Sequence, residues 1–157
     1  EYNQHKRYGL AEKSDADKLI SQFNESAWMG FLKPLRDSVS ILDKFSSNNY
    51  HFECITSLST DHWAGVLREM NLERFFGRGT IRRVRCIATG ADKNDILKEY
   101  DPGYWWIEDK PENCLAGLNA GHKPILIDHE FNKDFSHPNI IRAKNWKEIY
   151  QIITEST

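Results

Sequence analysis

At 157 residues, with 39% hydrophobic and 28% charged residues, the chain has the balance of one ordinary folded domain and not of a disordered segment. A formal net charge of −2 supplies no basic footprint for a nucleic-acid polymer, and none of the apolar runs is long enough to span a bilayer. Cys54, Cys86 and Cys114 are odd in number and lack Cys-x-x-Cys spacing, which reads as buried free thiols in a reducing cytoplasm.

The opening "EYNQHKRYGL" is polar throughout and reads as the middle of a helix rather than a terminus. Residues 1–33 carry scattered aromatics (Trp28, Phe31) and no period-2 run, which predicts short helices and loops. Ser14 is the expected N-cap of a helix in "DADKLISQF", with Asp15 and Asp17 in its first turn. After Pro34, the residues Leu35, Val39, Leu42 and Phe45 recur at helical spacing, and Ile41 widens that face. "SSNNY" ends the helix, and "HFECITSL" follows as a strand. A helix restarts from a cap at Ser59 or Thr60 and closes near Gly77.

"IRRVRCIAT" is the second predicted strand, its arginines solvated. "GADKNDILKEY" is a glycine turn and a short helix, and "GYWWI" a third strand in which Trp105 and Trp106 pack on alternate faces. Pro111 opens a helix that Gly121 caps. "KPILID" is a fourth strand, "HPNIIRA" a short edge strand, and "NWKEIYQII" a closing helix capped by Asn145. This alternation predicts an α/β fold: a doubly wound, mostly parallel, Rossmann-like sheet. Residues 1–33 are the expected small helical cap segment, and 34–157 the α/β core.

In open α/β sheets ligands bind beyond the carboxyl ends of the strands. The predicted strands deliver Thr56 and Ser57; Thr89 and Gly90, with Lys93 just beyond; Glu108 and Asp109; and Asp128 and His129. Hydroxyls, an ammonium and paired carboxylates suit a phosphate and a hard divalent cation, because magnesium takes oxygen ligands and is held by one or two carboxylates together with substrate phosphate. Asp128 and His129 read more simply as a strand-end turn. His122 and His137 show no ligand spacing for zinc.

From about Pro34 to Gly121 the chain resembles the haloacid dehalogenase superfamily of phosphotransferases. "KPLRDSVSILDKFSSNNYHFECITS" is similar to the segment ending in that family's phosphate-binding Ser/Thr, here Thr56 or its neighbour Ser57. "RCIATGADKNDILKEY" resembles the segment with the family lysine, here Lys93, with Lys98 five residues on. "WWIEDKPENCLAGLNAGHKPILI" resembles the metal-binding motif. The resemblance implies Asp109 as the direct magnesium ligand and Glu108 as a second ligand or an outer acceptor. It further implies a cytoplasmic phosphomonoester hydrolase using Mg2+ on a small phosphorylated substrate, a nucleotide-like monophosphate as in the 5′-nucleotidase branch. Neither a nucleic-acid polymer nor a membrane is expected as a partner, and the oligomeric state is open.

The family nucleophile is the first aspartate of an Asp-x-Asp at the end of the central strand. The one Asp-x-Asp here, Asp15 and Asp17, follows "YGLAEK", which is no strand. The expectation is therefore that the central strand and its nucleophile lie upstream of Glu1. A catalytically inactive phosphate- or nucleotide-binding or interaction module is the alternative. A receiver-like fold is a weaker one, since it wants acids where Thr56 and Ser57 stand.

Overall fold

Apolar runs separated by helical stretches become, in the computed structural model, parallel strands joined through helices; the structure describes residues 4–156. The described residues divide into two compact units, 4–91 and 92–156.

The first unit contains α1 (Gln4–Arg7), α2 (Lys13–Asn24), a 3-10 turn at Ala27–Phe31, α3 (Ser38–Ser47), β1 (Phe52–Ser57), α4 (His62–Phe76) and β2 (Ile81–Ile87). β1 and β2 pair in parallel from Phe52–Ile81 to Ser57–Ile87, with a register shift between Phe52 and Glu53. Phe45 is fully buried and meets Tyr50 and Phe52 edge-on at 5.2 and 5.5 Å, so the end of α3 and the start of β1 share one aromatic core. Residues 24–32 are tied to the rest of this unit by polar side chains. Asn24 Nδ2 donates to the Leu58 carbonyl at 2.8 Å, and buried Asn71 donates to the carbonyls of Gly30 and Leu32.

The second unit contains α5 (Asn94–Leu97), β3 (Trp105–Glu108), α6 (Pro111–Asn119), β4 (Lys123–Ile127), a 3-10 turn at Glu130–Asn132, β5 (Ile141–Ala143) and α7 (Trp146–Glu155). Its sheet has the order β3-β4-β5, all parallel, with Glu108 opposite Leu126 and Leu126 opposite Arg142. β4 is the central strand, and Ile125, Leu126 and Ile127 are buried, which is why it reads as a continuous apolar run rather than an alternating one. The α/β class and the parallel, Rossmann-like strands are as expected.

Local details differ at three helix starts. α2 begins at Lys13 after Glu12, so Ser14 is an interior residue and not the cap. α4 is capped by Asp61, whose carboxylate accepts from Ala64 N at 2.9 Å; Ser59 instead donates to Glu25 Oε1 and accepts from Asp61 N. A carboxylate aligned with the free N–H groups outcompetes the earlier hydroxyls for the capping position. α3 begins at Ser38 after Asp37, which takes a left-handed φ of 68°, and its buried residues are Ser38, Ile41, Leu42 and Phe45. Leu35 and Val39 are exposed, so Ile41 belongs to the core face rather than its margin. Pro111 at the first turn of α6 and the Asn145 cap, which accepts from Glu148 N at 3.0 Å, stand where the sequence put them. Gly121 lies one residue beyond the Ala120 cap of α6 with φ 84°. Of the thiols, Cys114 is buried while Cys54 and Cys86 are half-buried, and none of the three is in a disulfide among the described residues. Among the described residues no helix is long and apolar enough to cross a membrane.

Candidate phosphate and metal site

β3 ends in Glu108, and the chain turns through Asp109 and Lys110 into α6. Glu108 is buried at the strand end, and an isolated carboxylate there would be costly. Its partner is Lys93, the residue preceding α5, whose Nζ donates to Glu108 Oε2 at 2.6 Å; both residues are 8% exposed. The same ammonium lies 5.3 Å from the Trp106 ring centroid. Trp106 is in turn held by its Nε1, which donates to the Asn113 carbonyl at 3.0 Å. Gly117 on α6 makes the close packing possible, because a Cβ there would stand 2.4 Å from Trp106 Cδ1.

The two acids therefore differ. Burial pushes Glu108 up, but the Lys93 ammonium and hydrogen bonds from Asp109 and Lys93 outweigh it and hold its carboxyl below the ordinary value. Burial, a hydrogen bond with Glu108 and the Glu108 charge push Asp109 up to about 6. Two carboxylates share one ammonium, and the half-buried Asp109 is left short of positive charge. Behind them burial, then Glu108 and Asp109, push the Cys114 thiol up to about 12, so it stays protonated and inert.

This donor set fits a magnesium ion in part. Asp109 offers a hard oxygen whose charge lacks compensation, while Glu108 already has a cation. Among the described residues there is no group of three His, Cys, Asp or Glu side chains placed to hold a metal. A cation that keeps several waters and draws further oxygens from phosphate needs no such cage.

Lys93, Glu108 and Asp109 are thus brought together in the second unit, whereas Thr56 and Ser57 end β1 in the first. Ser57 Oγ donates to the Ala91 carbonyl at 2.7 Å, and Thr89 Oγ1 donates to the Leu58 carbonyl. The Thr56 hydroxyl has no partner among the described residues and remains available. Lys98 is exposed and pairs with Asp95 at 3.3 Å. Asp15 and Asp17 lie within α2, and Asp15 pairs with Lys18 on the surface. Asp128 pairs with Arg142 at 2.6 Å, and His129 precedes the 3-10 turn, as a strand-end turn requires.

The sequence reading missed Asn132. It is buried and donates from Nδ2 to the Asp109 carbonyl at 2.7 Å. Its signal is weak, since an asparagine among "EFNKD" looks like any polar turn residue.

An acid pair at a parallel strand's end, with a lysine folded onto it, belongs to the haloacid dehalogenase-type class of α/β proteins. Within that class, residues 6–157 match the family described as 5′ nucleotidase, deoxy (pyrimidine), cytosolic type C protein, and the chain belongs to it. It is similar to a nucleotidase of Clostridium acetobutylicum, 44% identical over 123 residues that cover 75% of this chain and 58% of that protein. It is also similar to an uncharacterized 32.4 kDa protein of Enterobacteria phage T4, 22% identical over 135 residues covering 84% of this chain and 48% of the relative. The chain thus spans about half the length of the curated relatives it matches.

Proposed function

We propose that the protein is a magnesium-dependent phosphomonoester hydrolase of the cytoplasm acting on a nucleotide-like monophosphate. One observation carries the reading: the buried Lys93–Glu108 pair beside a half-buried Asp109 that makes no ion pair of its own among the described residues, at a strand's carboxyl end. Membership of a 5′-nucleotidase family and the resemblance to the Clostridium nucleotidase support the substrate class.

In this reading Asp109 is the direct magnesium ligand. Glu108, already paired, orients Lys93 and serves as the outer acceptor. When bound, magnesium supplies neutralising charge to phosphoryl oxygens. Lys93 adds its ammonium to that charge, and Thr56 donates its hydroxyl to a phosphoryl oxygen, with Ser57 kept as a backbone brace. Because Asp15 and Asp17 lie in a helix, the attacking aspartate is proposed to come from a strand other than β1 to β5. β1, β2, β3 and β5 each have one strand neighbour among the described residues, and so leave edges that a further strand can pair with. Attack of the carboxylate on phosphorus would break the ester P–O bond and give an acyl phosphate, the leaving oxygen taking a proton from water to depart as the alcohol; water then hydrolyses the acyl phosphate to free phosphate and restore the carboxylate. Residues 1–33 are proposed as the helical cap segment and 34–157 as the α/β core.

The test is phosphate release by the full-length protein from a panel of nucleoside monophosphates, with and without MgCl2. Asp109→Asn is expected to lower magnesium-dependent release by about 10²–10³-fold or more with circular dichroism unchanged. Undiminished turnover in that variant would sink the site assignment. A wild type that binds nucleotide without hydrolysing it would replace the hydrolase with a binding module.

A further inference from the structure

We infer that Asn132 is a positioning residue for the candidate metal site, holding the main chain at Asp109 and thereby setting where the Asp109 carboxylate stands. The inference rests on Asp109 being the magnesium ligand, as proposed above.

Asn132 is 2% exposed and closes the 3-10 turn after β4. All four of its amide positions are used. Nδ2 donates to the carbonyls of Asp109 at 2.7 Å and Ile127 at 2.8 Å, while Oδ1 accepts from His129 N at 3.0 Å and from Arg142 Nη2 at 3.1 Å. Two carbonyls on one side and two donors on the other allow a single orientation of the amide.

The place of this amide in the sheet explains its effect. The β3–β4 ladder stops at Glu108 opposite Leu126. One residue further along each strand come Asp109 and Ile127, and one nitrogen takes both carbonyls. The amide continues the sheet for one more rung and clamps the peptide that follows Asp109. Without it, the Asp109 carbonyl loses its hold on the sheet end, and the main chain that carries the Asp109 side chain is less firmly set.

The clamp is itself held. From β5, Arg142 Nη1 donates to the main-chain carbonyls of Asn132 at 3.1 Å and Phe135 at 2.7 Å. Its Nη2 also meets Asp128 Oδ1 at 2.6 Å, a charge contact outside hydrogen-bond alignment. A rigid line thus runs from β5 through Arg142 and Asn132 to Asp109. Groups that orient a metal ligand in this manner typically change metal affinity about 10–100-fold when replaced.

The experiment compares Asn132→Asp with wild type in the full-length protein. This isosteric change keeps an oxygen for His129 N–H and Arg142, but turns the donor facing Asp109 into a second acceptor. Two readings are taken well below the melting temperature: hydrogen exchange of residues 104–113, and magnesium affinity by calorimetry with MgCl2. The inference expects faster exchange confined to the turn and magnesium binding about 10–100-fold weaker. It also expects turnover that recovers towards wild type at saturating magnesium. A lower melting temperature with unchanged magnesium affinity would make Asn132 an ordinary structural brace and overturn the inference. Unchanged exchange would overturn it as well.

If Asn132→Asp does not fold, Arg142→Lys keeps the cation, removes the forked bonds and is read in the same way. Failure of both to fold counts against a positioning role. A wild type that takes up no magnesium overturns the proposed function and this role together; magnesium binding equal in wild type and variant overturns this role alone.

Discussion

At the end of β1, Ser57 gives its hydroxyl to the Ala91 carbonyl and Thr56 keeps its own unspent among the described residues, whereas at the end of β3 Glu108 accepts from the Lys93 ammonium and the Asp109 carbonyl accepts from the Asn132 amide. The first strand end is braced by neutral hydrogen bonds to backbone, each contributing about 0.5–1.5 kcal/mol. The second is held by a buried ion pair and a saturated amide, where removing one partner strands the other away from water. A neutral end tolerates losses one at a time; a charged end does not.

The sharpest way to break that contrast is Lys93→Met. It leaves Glu108 buried and unpaired, and the expected loss is about 3–5 kcal/mol by urea unfolding. Adding Glu108→Gln should recover a large part of it, because the stranded charge is then gone. A loss no greater than that of a single hydroxyl deletion would erase the difference between the two strand ends.

Acidity separates the acids next. Asp109 is raised from 3.8 to about 6 in the folded, metal-free protein, so between those values the native state binds the extra proton. Its contribution to stability is therefore present below about pH 4 and lost as pH rises through about 6. Glu108, depressed below 4.5, acts oppositely: its contribution is present above that value and fades at lower pH. Thermal unfolding in EDTA, scanned across this range, should show the decline between pH 4 and pH 6 in wild type and lose it in Asp109→Asn. A decline of the same size in both would assign the titration to another group.

The smallest stability effects belong to β1. Ser57→Ala should cost about 1 kcal/mol, having lost a bond to backbone, whereas Thr56→Val, which loses no bond, should stay within about 0.5 kcal/mol. Turnover should follow the reverse order, with Thr56→Val reducing phosphate release about 10²-fold and Ser57→Ala reducing it little. If the two exchange places, Ser57 is the phosphate residue and Thr56 the brace.

Much of the fold was legible because its signals are local. β4 is a run of buried Ile125, Leu126 and Ile127, and the Asn145 cap is three residues from the N–H it satisfies. Where two capping candidates competed, as at Ser59 and Asp61, the outcome depended on Glu25 from a distant helix end, and no local rule supplies that. The site followed the same division. Glu108 and Asp109 announce themselves as acids after an apolar strand, yet the ion pair that tells them apart joins residues fifteen apart. Asn132 was hidden more completely, because its role lies in carbonyls that any residue at 109 and 127 would present.

Gly117 has a consequence for how this sequence can change. Any side chain there must displace the Trp106 indole, and that ring faces the Lys93 ammonium. Positions 117, 106 and 93 are therefore not free to vary independently. A replacement at 117 is felt first by a tryptophan and then by a charge on another element, so effects of substitution at the three sites should fail to add. The smallest residue of α6 limits what the candidate site can become.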